Sequence, residues 1–325
     1  LLRPGGSAGK EIQRELHEIR RDPDKTGAFR PAAPGDASFN LWMSIDFTNP
    51  PDPTLAYLTG QLHPSQAALL ADFSAESDAT LASLAPRLDI KYGAHEREVF
   101  DLYISPHPWR GTLAYFHAGF WQSRDKAQFR FFAPAFLAQG IDVALVNYPL
   151  CPDVSLRRLV EATRASVPAI LWTVHGIGRG GAALVAAGHS AGGHIAVELA
   201  LTDWAQRGLP LPPVAGVLAI SGVYELAPLL ATRLNEKLQL NPVEARAMSP
   251  LHRVAGALPP AIFIAGGLET PEFRAQSAAM HLAWQAAAGV SSNIEIPGAD
   301  HFSVLRALAA GGAAFQPAMA LFNLG

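Results

Sequence analysis

The chain has 325 residues, 49% of them apolar and 16% charged, with a formal net charge of -3 at pH 7. That balance suits a globular protein with a sizeable core and gives no electrostatic reason to expect nucleic acid or an anionic membrane as partner. No apolar run approaches the ~20 residues that span a bilayer, and Cys151, the single cysteine, can form no intrachain disulfide.

Residues 1–9 lack the continuous apolar core of a signal peptide. With one unpaired cysteine, the expectation is a cytoplasmic protein, a leader cleaved before Leu1 being left open. Residues 1–37 join a charged, helix-prone stretch, Lys10 to Arg21, to Asp-Pro, Gly and Ala-Pro punctuation. Few apolar groups there offset the entropy of ordering, so a flexible N-terminal arm is expected. One domain is expected over 38–325. Its first part, 38–90, carries Phe39, Leu41, Trp42, Tyr57, Leu58, Leu69, Leu70 and Phe73, enough to pack near a site.

From about residue 98 the pattern is regular. The runs 112–117, 142–148, 183–188, 214–220, 261–266 and 292–296 are short and apolar and predict strands. Between them 126–139, 155–175, 192–206 and 272–288 predict helices, with Pro168 expected to bend the second. Such alternation means a mostly parallel sheet covered by helices on both faces. The segment 222–257 breaks the alternation and is expected to form a small cap.

Gly188-His189-Ser190-Ala191-Gly192 reads G-x-S-x-G between a predicted strand and a predicted helix. A serine on such a turn is held in a strained conformation with its hydroxyl above the sheet. Small flanking residues let the backbone segments approach, and the helix N-terminus favours negative charge. Ser190 is therefore the candidate nucleophile.

It needs a base, and His301, in Gly298-Ala299-Asp300-His301-Phe302 after the last strand, stands where a loop can reach over the sheet. His189 belongs to the turn itself and points away from that role, and His194 lies on the following helix. The orienting acid is expected between the serine and the histidine in sequence. Glu269, just past strand 261–266, fits, with Glu272 and Asp300 in reserve. Strand 112–117 runs into His117-Ala118-Gly119-Phe120-Trp121. The N–H groups of Gly119 and Phe120, with that of Ala191, are the expected oxyanion hole, and His117 is expected to brace the loop.

Phe120, Trp121, Trp42 and Tyr57 are candidates for a substrate pocket, although core residues would look the same. The glycines at 176, 178, 180 and 181 precede a strand, whereas phosphate cradling needs strand, loop, then helix, so no dinucleotide is expected. No His-Glu-x-x-His occurs, so no metal is expected either.

These residues together resemble the kynurenine formamidase (arylformamidase) group of the α/β-hydrolase family, close to the hormone-sensitive-lipase-like esterases. His117-Ala118-Gly119-Phe120-Trp121 is similar to the family's His-Gly-Gly-Tyr/Phe-Trp loop. Asn147-Tyr148-Pro149-Leu150-Cys151-Pro152 with Val154-Ser155-Leu156, and Ser221-Gly222-Val223-Tyr224-Glu225-Leu226, resemble two more of its segments. Glu269 to Phe273 and Asp300-His301-Phe302 resemble its acid and histidine segments. The resemblance implies an α/β-hydrolase fold and hydrolysis of aryl formamides or small esters without metal or cofactor. Two departures are Ala118 for the first loop glycine, expected to narrow the pocket, and Glu269 where many relatives carry Asp. A small-molecule substrate, an aromatic ester or amide, is the expected partner, and a homodimer is left open. The alternatives are a general carboxylesterase acting on xenobiotic esters, amides or carbamates, and a hydrolase-fold binding protein without catalysis.

Overall fold

The computed structural model describes residues 53–58, 64–181, 183–209 and 212–323. The arm expected over 1–37 and the pocket candidate Trp42 lie outside these residues.

Eight strands form one sheet: β1 (Arg87–Lys91), β2 (Val99–Tyr103), β3 (Gly111–Phe116), β4 (Ile141–Val146), β5 (Leu184–His189), β6 (Val214–Ile220), β7 (Ala261–Gly266) and β8 (Ser291–Ile296). Their order is β1-β2-β4-β3-β5-β6-β7-β8. β2 pairs antiparallel with both β1 and β4 and so runs against the rest, and every other pairing is parallel. The inner strands β3, β4, β5 and β7 are buried along their whole length, as continuous apolar runs covered on both faces should be. β1 and β8 close the two edges and are largely exposed or half-exposed. The charges of Arg87, Asp89 and Lys91 suit an edge that must not pair with another chain.

Side chains alternate across the sheet and divide the core in two. Ala114 and Phe116 of β3 join one apolar layer, Leu113 and Tyr115 the other. Nine α-helices are described: α1 (Pro53–Leu58), α2 (Pro64–Ser83), α3 (Ala133–Leu137), α4 (Leu156–His175), α5 (Ala191–Ala200), α6 (Asn235–Leu238), α7 (Pro242–Ala247), α8 (Pro271–Ala286) and α9 (Phe315–Ala320). α4 starts on Ser155, whose side chain accepts from the N–H of Arg158, and runs unbroken through Pro168. Its inward face carries Leu156, Leu159, Val160, Val167 and Ile170, all fully buried. The helix expected over 126–139 is a 3-10 helix, Lys126–Phe132, followed by α3. That expected over 192–206 ends at Ala200, with a separate 3-10 turn at Ala205–Arg207.

Two regions hold structure beyond the predicted elements. α2 stacks Phe73 on Phe131 at 4.1 Å and thereby packs on the 3-10 helix. Between β6 and β7, residues 222–257 form α6, α7 and two 3-10 turns, Ala227–Ala231 and Pro250–His252. This segment meets α1, where the N–H of Arg233 donates to Thr54 Oγ1 (3.1 Å), and α5, where His194 Nε2 donates to the carbonyl of Met248 (2.8 Å). Among the described residues no helix is long and apolar enough to cross a membrane, and no cluster of three or more His, Cys, Asp or Glu could hold a metal ion.

Candidate active site

Ser190 is the one residue between β5 and α5, with φ 56° and ψ -117°. A non-glycine residue there is strained, at a cost of about 1–3 kcal/mol that the surroundings must offset. The N–H of Ser190 donates to Ile220 at the end of β6 (2.8 Å). The small neighbours are a steric requirement. A Cβ on Gly188 would stand 2.1 Å from the carbonyl oxygen of Gly192, and one on Gly192 would stand 1.9 Å from that of Phe116. The second contact also seats the start of α5 against the end of β3, where the candidate oxyanion loop begins.

Glu269 follows β7 in a turn closed by its own N–H, which donates to the Gly266 carbonyl (3.0 Å). Its carboxylate is 5% exposed as a residue and fully engaged. Oε1 accepts from the N–H of Gly266 (2.6 Å) and from the hydroxyl of Ser221 in a short contact. Oε2 accepts from Nδ1 of His301 at 2.7 Å. A carboxylate only accepts, so Nδ1 is the donor, and in the neutral imidazole Nε2 then presents its lone pair. Both Nε2 of His301 and Oγ of Ser190 are buried and have no hydrogen-bond partner among the described residues. Phe273 (4.3 Å between centroids), His189 (4.7 Å) and Phe302 (5.3 Å) surround the imidazole of His301 and limit its rotation.

The reserve acids sit elsewhere. Glu272 is exposed on the first turn of α8. Asp300 accepts from the N–H groups of Phe302 (3.0 Å) and Ser303 (2.7 Å) and so caps the turn after His301. The other histidines near the turn are buried too, His194 bonded through Nε2 to Met248 and His189 with neither ring nitrogen hydrogen-bonded among the described residues. His189 and His194 are fully buried, and burial holds both below the usual histidine range. His194 is packed under Trp121, edge to face at 5.1 Å.

The loop after β3 bends through positive φ at Gly119 (126°), Phe120 (50°) and Trp121 (60°). Among the described residues, the N–H groups of Gly119 and Phe120 serve no loop or turn hydrogen bond. That of Ala191 is the first of α5, where no intrahelical acceptor exists. His117 donates from Nδ1 to the carbonyl of Ala118 (2.7 Å), its own carbonyl accepts from Tyr148 OH (2.6 Å), and its ring stacks on Tyr148 at 4.3 Å. Burial pushes its pKa down to about 4, which leaves it neutral. Further along, Arg97 donates to the carbonyl of Arg124 (2.8 Å), and Asn147 holds the N–H of Lys126 (2.8 Å) and the carboxylate of Asp125 (2.6 Å). Ala118 keeps out of the positive-φ region, which begins at Gly119, and its methyl lies in the buried apolar layer with Phe302.

Of the pocket candidates, Tyr57 of α1 is buried and meets Phe273 edge to face at 5.7 Å, which places it one ring away from His301. Trp121 is wholly buried in the core. The sequence offers Ser221 only as part of the Ser221–Leu226 segment, with no role attached, and does not mark Arg97 at all. Ser221 carries one visible signal, its place at the end of β6 within Ser221-Gly222-Val223-Tyr224. Its φ of +48°, and its N–H to Ile264 (2.6 Å), repeat at β6 what Ser190 does at β5.

A family model described as alpha/beta hydrolase fold matches residues 113–305. A kynurenine formamidase of Danio rerio is 31% identical over 228 residues, covering 68% of this chain and 76% of its own. A crystal structure of a candidate thioesterase from Silicibacter sp. TM1040 superposes with a TM-score of 0.72 at 27% identity, covering 80% of this chain and 96% of its own. A Pyrobaculum calidifontis esterase, at a TM-score of 0.64 and 17% identity over 90% of this chain and 99% of its own, shares the fold.

Proposed function

Because the chain belongs to the kynurenine formamidase-like branch of the α/β-hydrolase family, we propose that it is a serine hydrolase cleaving an ester or linear amide bond, an aryl formamide above all. The chemistry runs through an acyl-enzyme on Ser190. The observation that carries this is the arrangement of Glu269 and His301. One imidazole nitrogen is fixed by the acid at 2.7 Å, while the other, buried beside the end of β5, has no partner among the described residues.

In the proposed cycle, Nε2 of His301 takes the Ser190 proton as Oγ attacks the substrate carbonyl. The N–H groups of Gly119, Phe120 and Ala191 stabilise the negative oxygen, each well-aimed donor contributing about 10²–10³ in rate. The C–N or C–O bond then breaks, and the leaving amine or alcohol departs with the proton held by His301. Water attacks the acyl-enzyme and gives its proton to His301; the acyl–Oγ bond then breaks, His301 returns the proton to Ser190 Oγ, and the acid leaves, as formic acid, ionised to formate, for a formamide. Glu269 keeps the imidazole in the needed tautomer and balances the imidazolium. Ser221 and the Gly266 N–H keep Glu269 in place, and Arg97, Asn147 and Tyr148 hold the oxyanion loop.

The test is turnover of N-formylkynurenine, formanilide and phenyl acetate by the wild type and by Ser190→Ala. The expected result is hydrolysis by the wild type, fastest on the formamides, and a fall of at least about 10³-fold in the variant. Full activity in the variant would overturn the mechanism. Preference for phenyl acetate would make the chain an esterase.

A further inference from the structure

Among the described residues, Arg124 differs from several other arginines held largely out of water. Arg97, Arg130, Arg164 and Arg179 each meet a carboxylate: Asp125 (3.3 Å), Asp101 (3.1 Å), Glu198 (3.2 Å) and Asp142 (3.1 Å) respectively. The guanidinium of Arg124 has no hydrogen bond or ion pair among the described residues. Burial nonetheless lowers its pKa, so the charge is partly removed from water without a protein group to compensate it.

Its position is next to the proposed chemistry. Arg124 ends the loop that carries Gly119 and Phe120 and has φ +77°. Its stem crosses directly over Gly119, where an added Cβ would stand 2.8 Å from Arg124 Cγ. The guanidinium carbon lies over the ring of Phe302, 5.4 Å from its centroid, and that ring is 5.3 Å from the imidazole of His301. The side chain thus bridges from a proposed oxyanion donor to the residue beside the proposed base. The guanidinium makes a cation–π contact with the face of Phe302. It would hold the guanidinium flat and leave its N–H edge free. Five donors in a rigid fork fit a carboxylate better than any neutral group.

We propose that Arg124 is a specificity-determining residue that binds a carboxylate carried by the substrate, so that the substrate class is an ester or linear amide of an anionic molecule. The inference rests on Ser190 being the nucleophile. The carboxylate could sit on the leaving group or on the acyl group, and two substrate pairs separate these. The first is 3-acetoxybenzoate against its methyl ester, the second monophenyl succinate against its methyl ester, each followed by release of the phenol.

In at least one pair the wild type should prefer the acid, in kcat/KM, by about 10- to 100-fold, the range of one charge-assisted contact. Arg124→Ala should bring that ratio to within about threefold of unity, and Arg124→Glu should invert it. The pair that responds identifies the side of the scissile bond. Equal ratios in wild type and Arg124→Ala for both pairs would overturn the proposal. So would a fall of equal size for acid and ester, which would mean that the charge acts on the oxyanion instead. Benzoate binding to Ser190→Ala, measured by calorimetry with and without Arg124→Ala, reads the anion site without catalysis. Binding weakened at least about fivefold by Arg124→Ala supports the proposal, and unchanged binding contradicts it. If no substrate is turned over faster than by Ser190→Ala, the nucleophile assignment fails, and the benzoate result still decides the role of Arg124.

Discussion

Glu269 and His301, separated by a helix and a strand in sequence, meet at 2.7 Å between Oε2 and Nδ1 with both side chains buried. The contact forms because β7 and β8 are parallel neighbours whose following loops lie side by side. Glu269→Gln keeps the shape and turns an acceptor pair into one acceptor and one donor. The imidazole can then settle in the tautomer that leaves Nε2 protonated. We expect kcat to fall by about 10³–10⁴-fold with little change in KM, measured by steady-state kinetics on whichever substrate proves best. A fall under tenfold would mean that the acid does not orient the base.

Ser221 donates to that same carboxylate. Ser221→Ala removes one of two donors to Oε1 and frees the longer glutamate side chain to rotate. About a tenfold loss in kcat is expected, the worth of one hydrogen bond to a charged group. The double variant with Glu269→Gln should be no slower than Glu269→Gln alone. Losses that multiply would show that Ser221 supports the fold and not the acid.

The approach of α5 to β3 is a packing claim with its own test. Gly192→Ala places a methyl 1.9 Å from a backbone oxygen that cannot swing aside, whereas Gly180→Ala meets only Trp109 at 3.7 Å. Chemical unfolding should show the first variant about 3 kcal/mol less stable and the second within about 0.5 kcal/mol of wild type. Equal stabilities would contradict the close contact.

The buried brace His117 gives a pH dependence of known sign. Its pKa lies near 4 in the folded chain because of burial, against 6.5 when exposed. As the pH falls through that window the unfolded chain takes up a proton and the folded chain does not. Stability should therefore decline with falling pH, at up to about 1.4 kcal/mol per pH unit from this group. His117→Asn removes that contribution, so urea midpoints between about pH 7 and pH 4.5 should fall less steeply than in the wild type. Parallel slopes would mean that His117 titrates as an exposed group.

Strands β3 to β7 were legible as apolar runs because both faces of each are covered, and length and β-branching separated them from helices. β1 and β2 were not. β1 is an exposed edge rich in charge, and β2 interrupts its apolar pattern with Asp101, which is fully buried only because Lys126 (2.7 Å) and Arg130 (3.1 Å) reach it from another element. No local pattern announces that pairing. α2 is hard to read for a related reason: its apolar residues Leu69, Leu70 and Phe73 are visible, but the Phe131 ring on which Phe73 stacks lies on a distant segment. At the candidate site, Ser190, Glu269 and His301 could be picked out because each follows a strand at a fixed place in chain order. Ser221 and Arg124 could not, since their meaning depends on a strained backbone and on which groups lack a partner, and both are properties of the folded chain.

The most direct measurement is covalent labelling with a fluorophosphonate, the modified peptide being located by mass spectrometry in wild type, Ser190→Ala and His301→Asn. One adduct per chain on Ser190 is predicted for the wild type, none on Ser190→Ala, and labelling slowed by at least about 10³-fold in His301→Asn. An adduct on any other residue, or a wild type that resists the reagent while folded, would contradict the assignment of Ser190 as an activated nucleophile.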